Sequence, residues 1–337
     1  MIQPDQIATP QLIQEHPELH HYTSIEGLRG IVESNTLWAT HFEDLNDASE
    51  FIHLRRPLVE ALSIRLRPTL IIWREGSFKR ARDLERWGGV PRVATGLAAD
   101  LVQALYTTAF GSGTGDALAT PYVASFCSHS GDMEYERRNG LLSQWRGYGG
   151  RDGVCIVFET ARLVEMLRRE FTDAYWVHMV IGSAEYAVNE ASIDRLFPGL
   201  VARCEDVVAS MIKEGGPSSL PDDLFPQLVD GASRYKHRGF FEEREVRLVA
   251  IPAPASTLAL MREQHPDFKA GPLKTVARRP RGNGQARYVI LFEEAAMELP
   301  INRVIVGPSP RQVENEAVVR SALPGKISVV RSETPFE

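Results

Sequence analysis

The chain has 337 residues, 43% of them hydrophobic and 24% charged, with a formal net charge of -6. Such a length allows one large or two medium domains whose core needs no metal or disulfide staple, and the acidic balance argues against a general nucleic-acid coat while leaving room for a local basic groove. Cys127, Cys155 and Cys204 are too few and too scattered for a disulfide framework, and no apolar run approaches the roughly 18 residues of a membrane span.

In chain order, residues 1–18 read as a loose lead-in rich in Gln, Pro and Glu, without the basic start and apolar run of a secretory signal, so a cytoplasmic protein with no membrane partner is expected. The compact part, 19–337, is expected to be a single domain. His20-His21-Tyr22-Thr23-Ser24 ends a first strand. Ser24 suits an N-cap, Glu26 suits the first turn, and Ile25, Leu28, Ile31 and Val32 share one helical face up to a stop at Asn35. A second strand covers 36–40 and leads into a polar turn with Asn46, Asp47 and Glu50. Residues from about 49 to 110 are helical and Arg-rich, an insertion or lid after the second strand.

A loop follows at 111–115. Strands are expected at 121–128, 153–158, 175–180, 245–251, 287–292, 301–306 and 326–330, with helices at 161–171 and 193–214 and a turn-rich linker at 215–223. Helices interspersed with strands, mostly without tight βαβ spacing, give an α+β class.

Several familiar chemistries are unsupported. The glycines at 111, 113 and 115 lack the third position of a dinucleotide fingerprint, since residue 116 is Asp. There is no CxxC, HExxH or EF-hand loop, and no metal is expected. The Gly-x-Ser-x-Gly elbow is absent.

Three segments place polar and aromatic residues beside apolar strands. On an alternating strand His21 and Thr23 share a face and Tyr22 takes the other, so an imidazole and a hydroxyl can both bond a sugar or a base edge; the alternative is a core His satisfied by backbone. Gln144-Trp145-Arg146-Gly147-Tyr148 offers an Arg for phosphate and aromatic rings for stacking, or else a core Trp beside a structural ion pair. Glu243 and Glu245 are expected on one face at the mouth of a strand, with Arg244 on the other. Arg278-Arg279-Pro280-Arg281, with Arg287, reads as a solvated loop.

Taken together, His21-Tyr22-Thr23-Ser24, Leu37-Trp38-Ala39-Thr40 with Asn46, Asp47 and Glu50, Ser143 to Gly149, Glu243 to Leu248 and the closing Ile305-Val306-Gly307-Pro308 resemble a large bacterial family of unknown function over roughly residues 19–320. The opening also resembles the first half of an ADP-ribosyltransferase fold. That resemblance implies a split β-sheet core, NAD as substrate and no metal. His21 would be the NAD-binding His and Thr23 its hydroxyl neighbour, with Tyr22 beside them. Glu245 would be the catalytic Glu, with Glu243 completing a Glu-x-Glu pattern, and Arg146 would lie at the pyrophosphate. The aromatic stacked on nicotinamide would be Trp38, with Phe42 and Tyr148 as further candidates; Trp145, Asn46 and Asp47 would complete the binding set. The implied activity is an ADP-ribosyltransferase or NAD glycohydrolase, a toxin or anti-phage effector whose acceptor is a protein or nucleic acid. The alternatives are a non-catalytic sensor of a nucleotide or phage component, or a nucleic-acid-processing enzyme contacting phosphates through Arg146, Arg244 and the Arg278 region.

Overall fold

The computed structural model describes residues 3–45, 54–110, 120–131, 133–150, 152–186, 193, 196–197, 199–214, 224–264, 271–281 and 284–335. Asn46, Asp47 and Glu50, the glycine loop at 111–115 and the linker at 215–223 lie outside the described residues.

The first residues are not a loose lead-in. Ile7, Ala8 and Leu12 are buried in the main core, and Ile181 N–H donates to Ile7 O at 2.8 Å. Pro10 opens helix α1 (Pro10–Glu15), where its missing N–H costs nothing, and Thr9 Oγ1 caps it by accepting from Leu12 N–H. Strand β1 (Glu18–Ser24) follows and passes into α2 (Ile25–Ser34), whose N-cap is Ser24 and whose stop is Asn35 at φ 54. Asn35 also ties α2 to a distant loop, donating to Met297 O and accepting from Leu299 N–H. Strand β2 is Leu37–His41.

The chain divides into two compact units where one domain with an insertion was expected. The second unit takes Leu45–Pro121 and also Glu185–Arg238. Its described elements are helical: α3 (Arg55–Glu75), α4 (Phe78–Arg86), α5 (Gly89–Phe110), then α8 (Leu200–Glu214) and α9 (Leu224–Arg234). Helix α3 turns Leu58, Leu62, Leu66 and Leu70 inward at helical spacing.

All strands of the described residues belong to the first unit. They include β3 (Tyr122–Cys127), β4 (Gly153–Glu159), β5 (Trp176–Ser183), β6 (Glu245–Pro252), β7 (Ala277–Arg281), β8 (Gly284–Leu291), β9 (Ile301–Val306) and β10 (Ser328–Arg331). The longer helices between them are α6 (Glu134–Asn139), α7 (Thr160–Asp173), α10 (Ala255–Gln264) and α11 (Gln312–Ala322). The segment expected as a solvated arginine loop is β7, an end strand of the sheet; Pro280 is tolerated there because an edge strand can spare an N–H.

The sheet is mixed and open. β1 pairs antiparallel with β4 along its whole length, β4 with β9, and β9 parallel with β10. On the other side β6 runs along all of β3, β5 lies beyond β6, and β2 pairs with β8 and β8 with β7. The join is narrow. Among the described residues β1 meets β3 only at His20↔Cys127, and β2 meets it only at Thr40↔Val123 and His41↔Tyr122. A strand has two edges and β6 occupies one, so β1 and β2 share the other. They diverge along it, leaving 124–126 between them.

Two apolar clusters follow from strand alternation. One face carries Leu19, Phe126, Ile156, Phe158, Leu248 and Val304 of the main core. The opposite face carries a smaller cluster of Tyr22, Cys127, Trp145, Cys155, Val157 and Ile305.

Candidate functional site

The divergence of β1 and β2 places His21 beside the β3 edge. Its Nδ1 lies 3.0 Å from Ser125 O. A carbonyl only accepts, so Nδ1 carries the proton and Nε2 keeps a lone pair. Burial lowers the imidazole's pKa; the Ser125 bond opposes this and the charge of Arg279 adds to it. His21 is therefore neutral at pH 7. Thr23, two residues on, shares its face at the N-terminus of α2. Gly27 makes room for it, since a Cβ there would stand 2.2 Å from Thr23 Oγ1.

Trp38 is 44% exposed on β2. Its ring stacks on Tyr288 at 4.3 Å and 27°, and the Arg279 guanidinium lies 5.4 Å over it. Arg279 Nη2 also donates to Thr40 Oγ1 at 3.5 Å. The sequence reading singles out neither Ser125 nor Tyr288, and it places Arg279 in a solvated arginine loop. Nothing local in the sequence pairs β2 with β8, and a run of arginines reads as a solvated loop until its pairing with β8 is seen.

Tyr22 and Trp145 hold the fold together and are not open to a ligand. Tyr22 OH accepts from Leu141 N–H at 2.7 Å and bonds His129 Nε2 at 2.8 Å. Trp145 packs edge-on against Tyr22 with ring centroids 4.8 Å apart, and its Nε1–H donates to Asn139 O. Three glycines shape its slot: a Cβ at Gly140, Gly149 or Gly307 would stand 2.4, 3.2 or 2.9 Å from the indole. Within the same segment Gln144 is buried, whereas Arg146 and Tyr148 face solvent on the short π-helix Trp145–Gly149.

The carboxylate expectation needs correction at Glu243. It ends a 3-10 turn, Arg238–Glu243, and Arg244 takes φ 42 before the strand begins at Glu245. Strand alternation does not extend back to Glu243, so it and Glu245 do not share a face by pleat. Glu245 itself is 4% exposed and accepts from Arg247 Nε at 2.9 Å.

The register divides the expected set. Glu245 pairs with Cys127 and Cys127 with His20, so Glu245 points to the His20 and Tyr22 face. Trp38 and Thr40 share that face through Thr40↔Val123. His21 and Thr23 point to the other. Residues 124–126 of β3, with Ser125 at their centre, lie between the points where β1 and β2 pair with it.

A second polar group lies at the end of β2. Arg287 donates to Asp44 through Nε at 2.9 Å and through its backbone N–H at 2.8 Å, and to Glu43 at 2.8 Å. Those bonds outweigh desolvation and hold the Asp44 carboxyl below its usual range. His41 beside them is pushed down to about 4, by burial first and the Arg287 charge second. Among the described residues no group of three or more His, Cys, Asp or Glu stands close enough to hold a metal ion. No known protein family, curated protein or solved structure matches the chain.

Proposed function

We propose that the chain binds NAD at the split in the sheet and cleaves its nicotinamide–ribose bond, as an ADP-ribosyltransferase or NAD glycohydrolase acting as a toxin or anti-phage effector. The observation that carries this reading is the sharing of one β3 edge by β1 and β2, with His21 turned onto Ser125 O between them. The fixed tautomer leaves Nε2 to accept from a ribose hydroxyl, and Thr23 adds a second hydroxyl on the same face. The Trp38–Tyr288 stack offers an aromatic surface and Arg279 a charge for phosphate.

Cleavage of a glycosidic bond to nicotinamide passes through an oxocarbenium-like state, which a carboxylate stabilises. Glu245 is the carboxylate this reading uses. It stands across β3 from His20, two strand spacings or roughly 10 Å between backbones. To act, it must exchange Arg247 for the ribose when NAD binds.

That buried pair favours a second reading, a nucleotide-recognising module without turnover, because a carboxylate neutralised by Arg247 is poorly placed to meet a developing cation. Nicotinamide release from NAD, followed by chromatography with calorimetric binding measured alongside, separates the two. Release supports the enzyme. Binding without release supports the module, and absence of both overturns the NAD site.

A further inference from the structure

Helix α3 has an outward face as well as an inward one. Opposite Leu58, Leu62, Leu66 and Leu70, helical spacing lines up Ile64, Pro68 and Ile71 with Ile72 beside them. Ile64 is 47% exposed and Ile72 is 72% exposed. Arg65 flanks this stripe on one side, Arg67 and Arg74 on the other. Phe78, 95% exposed, opens α4, and Trp87, 56% exposed, ends it. Residues 55–92 carry ten Arg and Lys against four Asp and Glu, in a chain whose net charge is -6.

Exposed apolar stripes mark contact surfaces, and the charge beside this one selects among partners. An isologous contact with a second copy would set one arginine-rich face against another, which is repulsive. A nucleic acid would use the arginines but gain nothing from three isoleucines, which neither stack on bases nor hydrogen-bond to them. The boundary between anionic headgroups and acyl chains uses both components at once.

We propose that the second unit docks through this face of α3 and α4 on an anionic membrane surface, lying in the interface without crossing it. No described helix is long and apolar enough to cross a membrane, and interfacial docking needs none. The expectation of no membrane partner rested on the lack of a spanning segment, which does not bear on a surface helix.

Sedimentation of the full chain with phosphatidylcholine vesicles, with and without phosphatidylserine, tests the proposal. The expected result is binding that requires phosphatidylserine and falls with salt. Arg67→Glu should weaken it about fivefold or more, and Ile72→Ser combined with Phe78→Ser about tenfold. Both sites are exposed, so melting temperatures should stay at the wild-type value. Absence of lipid-dependent binding overturns the proposal. So does vesicle binding indifferent to the apolar substitutions, tighter binding of a single-stranded oligonucleotide that displaces the vesicles, or a dimer that the same substitutions abolish.

Discussion

Arg247 Nε donates to Glu245 Oε1 at 2.9 Å, with only 2% and 4% of the two side chains exposed. The residues sit two apart on β6, so alternation points both to one face, and burial makes the pair costly to break. Glu245→Gln keeps the shape and removes one charge. It should destabilise the fold by about 3 kcal/mol, the usual cost of breaking a buried ion pair. Glu245→Leu with Arg247→Met should lose less than the sum of the single changes. Denaturant midpoints at constant slope measure both. A Glu245→Gln protein as stable as wild type would show that the pair contributes little, and any loss of NAD turnover in it would then report on chemistry alone.

The Trp145 slot makes a contrast inside one short motif. Gly140 has φ 76, and a Cβ on it would stand 2.4 Å from the indole. Gly140→Ala therefore combines left-handed strain with overpacking and should cost about 2 to 4 kcal/mol. Trp145→Ala should cost about 3 to 5 kcal/mol through the cavity it leaves. Arg146→Ala, one residue away and exposed, should stay within about 0.5 kcal/mol. Thermal melts of the three variants check the order. Equal effects at Trp145 and Arg146 would mean that the segment is not divided into a buried and an exposed half.

Local chemistry was legible in the sequence where the deciding contacts are local. Ser24 caps α2 through Gly27 N–H three residues on, and the alternation of Leu19, His20, His21 and Tyr22 assigns the faces of β1. The α+β class followed from the same periodicities. What depends on distant partners was not legible. Ile7 and Leu12 look like tail residues until Ile181 N–H reaches Ile7 O. Gly307 looks like a loop glycine until Trp145 lies against it. The membership of 185–238 in the helical unit is set by contacts across more than a hundred residues. Within the candidate site, His21 and Thr23 were readable as a pair. The positive φ of Arg244, which detaches Glu243 from β6, was not, because nothing in Glu-Glu-Arg-Glu announces a break before the last carboxylate.

His21→Asn isolates the atom on which the NAD proposal rests. The Asn amide can still donate to Ser125 O in place of Nδ1–H, but nothing replaces Nε2. Stability should be close to wild type, whereas NAD affinity should fall about tenfold, the worth of one hydrogen bond to a ligand. Calorimetric titration beside a thermal melt gives both numbers. Unchanged affinity would remove His21 from the site; a large loss of melting temperature would assign it to the fold.

Acid should unfold this protein through its histidines before its carboxylates. His41 and His129 are both pushed down to about 4, by burial first and then by the charges of Arg287 and Arg244 respectively. His16, His20 and His21 are lowered too, each chiefly by burial. In the unfolded chain all five titrate near 6.5. Between pH 6.5 and 4 the unfolded state therefore binds more protons, and stability falls as pH falls through that window. The contribution is complete above 6.5 and gone below the folded values. Each fully depressed histidine adds at most about 1.4 kcal/mol per pH unit to the slope. The lowered carboxyls of Glu18 and Asp44 have ordinary values of 4.5 and 3.8, so the loss between pH 6.5 and 5 belongs mainly to histidine. His41→Asn keeps an acceptor for the Glu43 N–H bond that Nδ1 now accepts, and removes the titration. Urea melts from pH 7 to 5 should show a steep decline in the wild type and a shallower one in this variant. A flat wild-type profile would mean that the buried imidazoles take up protons as readily folded as unfolded.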